Sequence, residues 1–219
     1  MNRLSKTEIK QLRTLLQEWQ TPDAMLSLED RVHGRIGSDV HLNQAGLSFL
    51  HDAIIAASFA KIVQPSALVR LCKEPRPDFE MRLPDESIYA AEATLADLPD
   101  RRMGDEYRGL PHPSSISMNH SYPEEEEALC RKYGPDALKT ACAKKVRKGY
   151  SRDVGLVIYF NFFVIFDDAQ KQIAGEFFLD STEAARNHFR DVFVLWGSNV
   201  CWLWQSGKVR NTIRRAPVS

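Results

Sequence analysis

Residues 155–166 read GLVIYFNFFVIF, an almost unbroken apolar run. A segment that is polar on alternate residues can leave one face in water. One that is apolar at nearly every step must be covered on both faces, as a central or parallel strand is. This run therefore demands a sheet with material packed on both sides. Parallel neighbours in turn demand crossover connections, usually helical.

The preceding chain supplies the other elements. Residues 5–19 predict a helix: Ser5 and Glu8 form a capping box, Ile9, Leu12, Leu15, Leu16 and Trp19 make one apolar stripe, and Pro22 ends it. A short helix is expected over 28–33, before Gly34 and Gly37. Residues 43–63, NQAGLSFLHDAIIAASFAKIV, predict the main long helix, with Ala53, Ala56, Ala57 and Ser58 small enough for close packing and Pro65 as its stop. The period then changes to two. Residues 67–72 read as a short strand, 78–83 and 88–96 as a hairpin around Pro84-Asp85-Glu86-Ser87, 136–149 as a helix, 180–193 as a helix capped by Asp180 or Ser181, and 200–213 as a closing hairpin around Ser206-Gly207.

Strand, crossover helix and strand in that order imply an α/β fold: a mixed central sheet flanked by helices. The expected organisation is an N-terminal helical extension over 1–40 and one α/β domain over 41–219. It carries a long polar connection at 97–123 and ends in a helix plus a hairpin. That connection holds Arg101, Arg102, Tyr107, Arg108, His112 and His120, and a connection so long is often functional. Ser121, Pro123 and the acids 124–127 after it read as the start of a helix.

Length and composition exclude more than they specify. A chain of 219 residues with zero formal net charge has no global attraction to nucleic acid or membrane, so such binding needs a local patch. Cys72, Cys130, Cys142 and Cys201 are scattered without a Cys-x-x-Cys pair, and the histidines show no metal-ligand spacing. No run nears the ~18 apolar residues that span a bilayer, and the N-terminus lacks a signal-type core. A cytoplasmic protein is expected. Phosphate-loop, dinucleotide and G-x-S-x-G motifs are absent, which argues against kinases, dinucleotide enzymes and typical serine hydrolases.

The chemistry that remains lies in the acids. Asp78 opens the first hairpin strand and Glu92 sits inside the second. Neighbouring strands lie about 5 Å apart, and carboxylates facing each other at that spacing repel unless a cation lies between them. One or two carboxylates with water and phosphate is a common Mg²⁺ shell. The plain alternative is that both acids face solvent on an open sheet. On the helix 136–149, Leu138, Ala141, Cys142 and Val146 form the apolar face, and Lys145 and Lys148 border it. Such a lysine either snorkels or points at a phosphate or metal-bound water. Lys139, Lys144, Lys145, Arg147, Lys148 and Arg152, with Tyr150 and no acid among them, form a basic strip suited to phosphate.

Taken together, these residues resemble the PD-(D/E)xK nuclease-like superfamily, with its restriction-endonuclease-like fold. Pro77-Asp78 is similar to the PD element and Glu92-Ala93-Thr94 to the (D/E)xK element. Residues 141–161, ACAKKVRKGYSRDVGLVIYFN, are similar to the helix-to-strand segment that follows. The expected αβββαβ order over 43–161 covers a little over half of the chain. The resemblance implies a Mg²⁺-dependent (or Mn²⁺-dependent) phosphodiesterase acting on DNA, or less readily RNA. Asp78 and Glu92 would be its metal ligands, with the Ala93 carbonyl beside them, and the metal would activate the attacking water. Thr94 stands where the motif has lysine. Either the lysine has moved to the facing helix, with Lys145 the first candidate and Lys148 the second, or the fold is catalytically inactive and binds nucleic acid or protein. Lys144, Lys145, Arg147, Lys148 and Tyr150 are then the expected nucleic-acid contacts. Asp52 is the available acid on the first core helix but only weakly placed. A homodimer or protein partner stays open.

Overall fold

In the computed structural model, residues 3–73, 77–98, 123–150, 152–162 and 177–215 are described, with backbone alone over 123–126. Three helices come first: α1 (Lys6–Leu16), α2 (Pro22–Asn43) and α3 (Phe49–Val63). Strands β1 (Leu68–Leu71), β2 (Phe79–Arg82) and β3 (Ile88–Ala96) follow. Helix α4 (Pro123–Val146) leads into β4 (Gly155–Phe160), and the chain closes with β5 (Asp191–Trp196), β6 (Asn199–Gln205) and β7 (Lys208–Arg215). The strands form one seven-stranded sheet in chain order. β3, β4 and β5 are mutually parallel, and every other pairing is antiparallel. The fold is thus α/β, with a mixed sheet flanked by helices.

The apolar run has the environment its composition demands. Val157 joins an apolar cluster with α1, α2 and α3. Leu156, Ile158 and Phe160 join a second cluster with α4, on the other face. Alternate residues of β4 therefore point into two different cores, which is why no position along it is free to be polar. The predicted run continues past the strand, but 163–166 lie outside the described residues.

Helix α1 starts as its capping box predicts. The Glu8 N–H donates to Ser5 Oγ, and the Ser5 N–H donates to Glu8 Oε2 at 2.8 Å. Ala53, Ala56, Ala57 and Ala60 on α3 are fully buried, so the helix backbone approaches the sheet closely.

Four boundaries differ from the sequence reading. The short helix expected over 28–33 is the middle of the 22-residue α2. Thr21 caps it and Pro22 occupies its first turn, while Gly37, at φ 75°, bends it without ending it. Pro22 therefore starts α2, and α1 ends before it at Leu16, short of the expected residue 19. The long helix begins at Phe49, not at residue 43, because Gly46 takes φ 90° in the turn before it. The helix expected over 136–149 is continuous with the acidic segment before it and includes Pro135. Gly134 beside that proline lets the helix approach closely, since a Cβ there would stand 3.0 Å from the rings of Phe160 and Phe177.

The fourth difference is the largest. The helix predicted over 180–193 is only helical at 177–181, with one 3-10 turn at Glu183–Ala185, and 191–193 belong to β5. All six residues of β5 are buried, between one parallel neighbour, β4, and one antiparallel neighbour, β6. Two-sided burial overrides the helical spacing upstream. The chain therefore ends in a three-stranded meander, β5-β6-β7, instead of a helix plus hairpin. The predicted turn at Ser206-Gly207 is present, with both residues at positive φ (49° and 77°), the geometry of a tight hairpin turn. The connection 97–123, including its arginines and histidines, falls almost wholly outside the described residues.

The four cysteines form no disulfide. Among the described residues no helix is long and apolar enough to cross a membrane.

Candidate functional site

The β2–β3 register decides where the acids go. Phe79 pairs with Ala91, so one step beyond the end of β2 brings Asp78 opposite Glu92. Past that point β3 keeps a partner only on its β4 side. The Ala93 N–H, beyond the β2 ladder, donates to Asp78 Oδ2 at 2.8 Å. Ala93 thus holds Asp78 through its N–H. Glu80, the other acid of β2, does different work: it accepts from Arg70 Nη2 at 2.8 Å and Nε at 3.0 Å, its directly opposed neighbour on β1.

The third member arrives from α4. Lys145 sits in the last turn of that helix, on the side that carries the buried Leu138, Ala141 and Cys142. Its Nζ lies 2.8 Å from Asp78 Oδ2 and 2.7 Å from Glu92 Oε2. Both Lys145 and Glu92 are buried, at 5% and 1% exposure. A buried carboxylate cluster of this kind is stable only with a compensating cation, and here the ammonium supplies it. Burial is the largest influence on Lys145 and acts to lower its pKa, but the two carboxylates outweigh it and hold the group above the ordinary lysine value. Glu92 is raised, chiefly by burial, against its hydrogen bonds with Lys145 and Tyr150.

Tyr150 packs on Phe189, with ring centroids 5.7 Å apart, and Lys145 Nζ lies 5.6 Å from its ring. Burial and the hydrogen bond to Glu92 push its hydroxyl up to about 12. Its place is therefore against the acidic centre. Thr94 is buried beside this centre and lines the same cavity.

Asp52 is better placed than its spacing suggested. It stands in the first turn of α3 and lines the cavity together with Asp78 and Lys145. Burial first, and then the negative charge of Asp78, push its carboxyl up to about 6, against the pull of Lys145. Nothing local in the sequence marks it, because three separate elements create its environment.

The cavity has a volume of about 500 Å³. Lys144 and Lys148 line it and are exposed, while Arg147 is exposed and turned back onto the Ala143 carbonyl at 3.2 Å. The basic strip is thus divided: Lys145 at the carboxylates, Lys144 and Lys148 at the cavity, and Arg147 outside its lining. The far wall carries Glu29, His33, Ser38, His41 and His51, a group that the sequence reading missed. His33, His41 and Glu29 lie on one helix at spacings of eight and four. That pattern alone is also what a solvated helix face would show.

Among the described residues no group of three or more His, Cys, Asp or Glu converges to hold a metal. Two carboxylates do converge, and Mg²⁺ commonly uses only one or two with water and phosphate around it. Glu92 Oε1 is buried without a hydrogen-bond partner, an acceptor that a cation would satisfy. The residues fit an oxygen-preferring divalent ion in that limited sense. In comparisons with family models, curated proteins and solved structures, nothing matches this chain.

Proposed function

We propose that this chain is a Mg²⁺- or Mn²⁺-dependent phosphodiesterase of the PD-(D/E)xK nuclease-like kind, acting on DNA or, second to it, RNA. The observation that carries this reading is the meeting of Asp78, Glu92 and Lys145 from three separate elements within hydrogen-bond distance. The run of elements α3-β1-β2-β3-α4-β4 supports it, being the αβββαβ order of that superfamily.

Each residue has a role in this reading. Asp78 and Glu92 hold the divalent ion, which when bound neutralises phosphate charge and makes its water more acidic. The Ala93 N–H fixes the orientation of Asp78. Lys145 supplies from the helix the positive charge that Thr94 cannot, beside the phosphate that enters. Tyr150 braces Glu92. Lys144 and Lys148 attract the phosphate backbone at the cavity rim.

The test is calorimetry with Mn²⁺ together with cleavage of DNA and RNA. Wild-type protein is expected to bind Mn²⁺ and cleave. Asp78→Asn and Glu92→Gln should lose both, and Lys145→Met should lose cleavage. Wild-type protein that takes up no Mn²⁺ sinks the enzyme reading.

One observation favours a second reading. The Lys145 ammonium already contacts both carboxylates, and Thr94 replaces the motif lysine. That is what a catalytically inactive domain of the same fold would need. This domain would bind nucleic acid without cleaving it, with binding weakened by Lys144→Ala and Lys148→Ala.

A further inference from the structure

The cavity has a second end that the proposed chemistry does not use. His33, His41 and His51 gather there around Glu29 and Ser38. The His33 and His41 rings stack at 5.1 Å with 30° between their planes, and His41 and His51 lie 5.7 Å apart. His33 Nε2 is 2.8 Å from Ser38 Oγ. His41 is only 7% exposed, and its Nε2 faces Glu29 Oε1 at 2.9 Å.

Three histidines beside a carboxylate suggest a metal first, but no metal-holding group is formed here among the described residues. They suggest phosphate second. Burial holds His33 and His51 below the ordinary histidine value, which leaves these two rings little cationic charge to offer an anion at pH 7. What stacked imidazoles beside a hydroxyl and a carboxylate do offer is a flat π surface and hydrogen-bonding edges. Those are the features that hold an unpaired base. The wall between the two ends includes Leu42, Ile54, Ile55 and Tyr159, which suits a sugar and the edge of a ring. The size agrees: about 500 Å³ falls within the roughly 300–1,000 Å³ of small-ligand sites. One nucleotide fits such a volume and a base pair with its backbone does not.

We propose that this cavity takes a single unpaired nucleotide, with its phosphate toward Lys144, Lys145 and Lys148 and its base among His33, His41 and His51. The preferred nucleic acid is then single-stranded, frayed or flipped at the point of binding. This rests on the reading of the Lys145 end as a phosphate site.

The test is a fluorescence titration of the full chain with short oligonucleotides carrying one 2-aminopurine, in EDTA so that no metal-dependent cleavage intervenes. Single-stranded deoxy and ribo probes form two arms, and the same probe paired within a blunt duplex forms the third. A saturable change is expected with either single strand, with the duplex at least about tenfold weaker. His33→Ala and His41→Asn should each weaken single-strand binding by about tenfold, with circular dichroism unchanged. Should His41→Asn fail to fold, His33→Ala decides, because its ring is less buried. A duplex that binds as well as single strands, a wild-type protein that responds to neither sugar, or folded histidine variants that bind like wild type each overturn the inference. A chain that binds the unpaired probe but neither takes up Mn²⁺ nor cleaves keeps this inference and loses only the enzymatic reading.

Discussion

Lys145 Nζ and Glu92 Oε2 lie 2.7 Å apart, 53 residues distant in sequence, and both side chains are buried. The helix α4 and the strand β3 are joined at this point by charge rather than by apolar contact. Removing Lys145 leaves Glu92 without a cation in the interior, whereas Lys145 without Glu92 still has Asp78 at 2.8 Å.

Lys145→Met is therefore expected to destabilise the fold by about 3–5 kcal/mol in denaturant unfolding. Adding Glu92→Gln to it should restore part of that loss, since the unpaired carboxylate is then gone. A pair of single variants whose effects simply add would contradict the coupling.

Asp52 has the opposite sign from a salt-bridged acid. Its carboxyl is raised from 3.8 to about 6, so the folded chain holds a proton there that the unfolded chain has released. Stability from this group is full below about pH 4 and declines as pH rises through 6. Asp52→Asn should remove that decline and stabilise the protein at pH 8 by about 1–3 kcal/mol relative to wild type. Melting temperatures at pH 4 and pH 8 measure it. A variant that gains nothing at pH 8 would mean the carboxyl is not penalised by its site.

Gly155 begins β4 directly under Tyr89. A Cβ there would come within 2.8 Å of Tyr89 Cζ. The ring cannot swing away freely, because its hydroxyl donates to the buried Asp191 at 3.2 Å and Arg190 lies over its face at 4.3 Å. Gly155→Ala should cost about 1–3 kcal/mol. Chemical denaturation with an unchanged m-value is the measurement, and a neutral result would show that Tyr89 has room to move.

Ser206 takes φ 49° in the turn between β6 and β7, a region that costs an ordinary residue free energy. Ser206→Asn keeps a hydrogen-bonding side chain and tolerates that conformation better. A gain of about 0.5 kcal/mol in unfolding free energy is expected. A loss would mean that the serine hydroxyl holds the turn in some other way.

What the sequence determined by itself was local or strongly periodic. The Ser5–Glu8 box, the hairpin of β2 and β3, and the Ser206-Gly207 turn are legible because the residues that decide them lie within a few positions of each other. The doubly buried β4 is legible because its whole length is apolar. The hairpin placed Asp78 and Glu92 on adjacent strands, and the helix face that Lys145 borders could be read from its spacing, but the register that sets the two acids opposite each other came from the structure. Only the tertiary structure decided that Lys145 lies between those two acids, since the rotation and depth of α4 against β3 depend on packing across the sheet. The same holds for Asp52 and for the histidine group on α2 and α3, whose burial comes from elements distant in the chain. It holds most clearly for β5, where a helical pattern upstream gave way because burial on both faces of the sheet outweighs the weak preference of a short segment for helix.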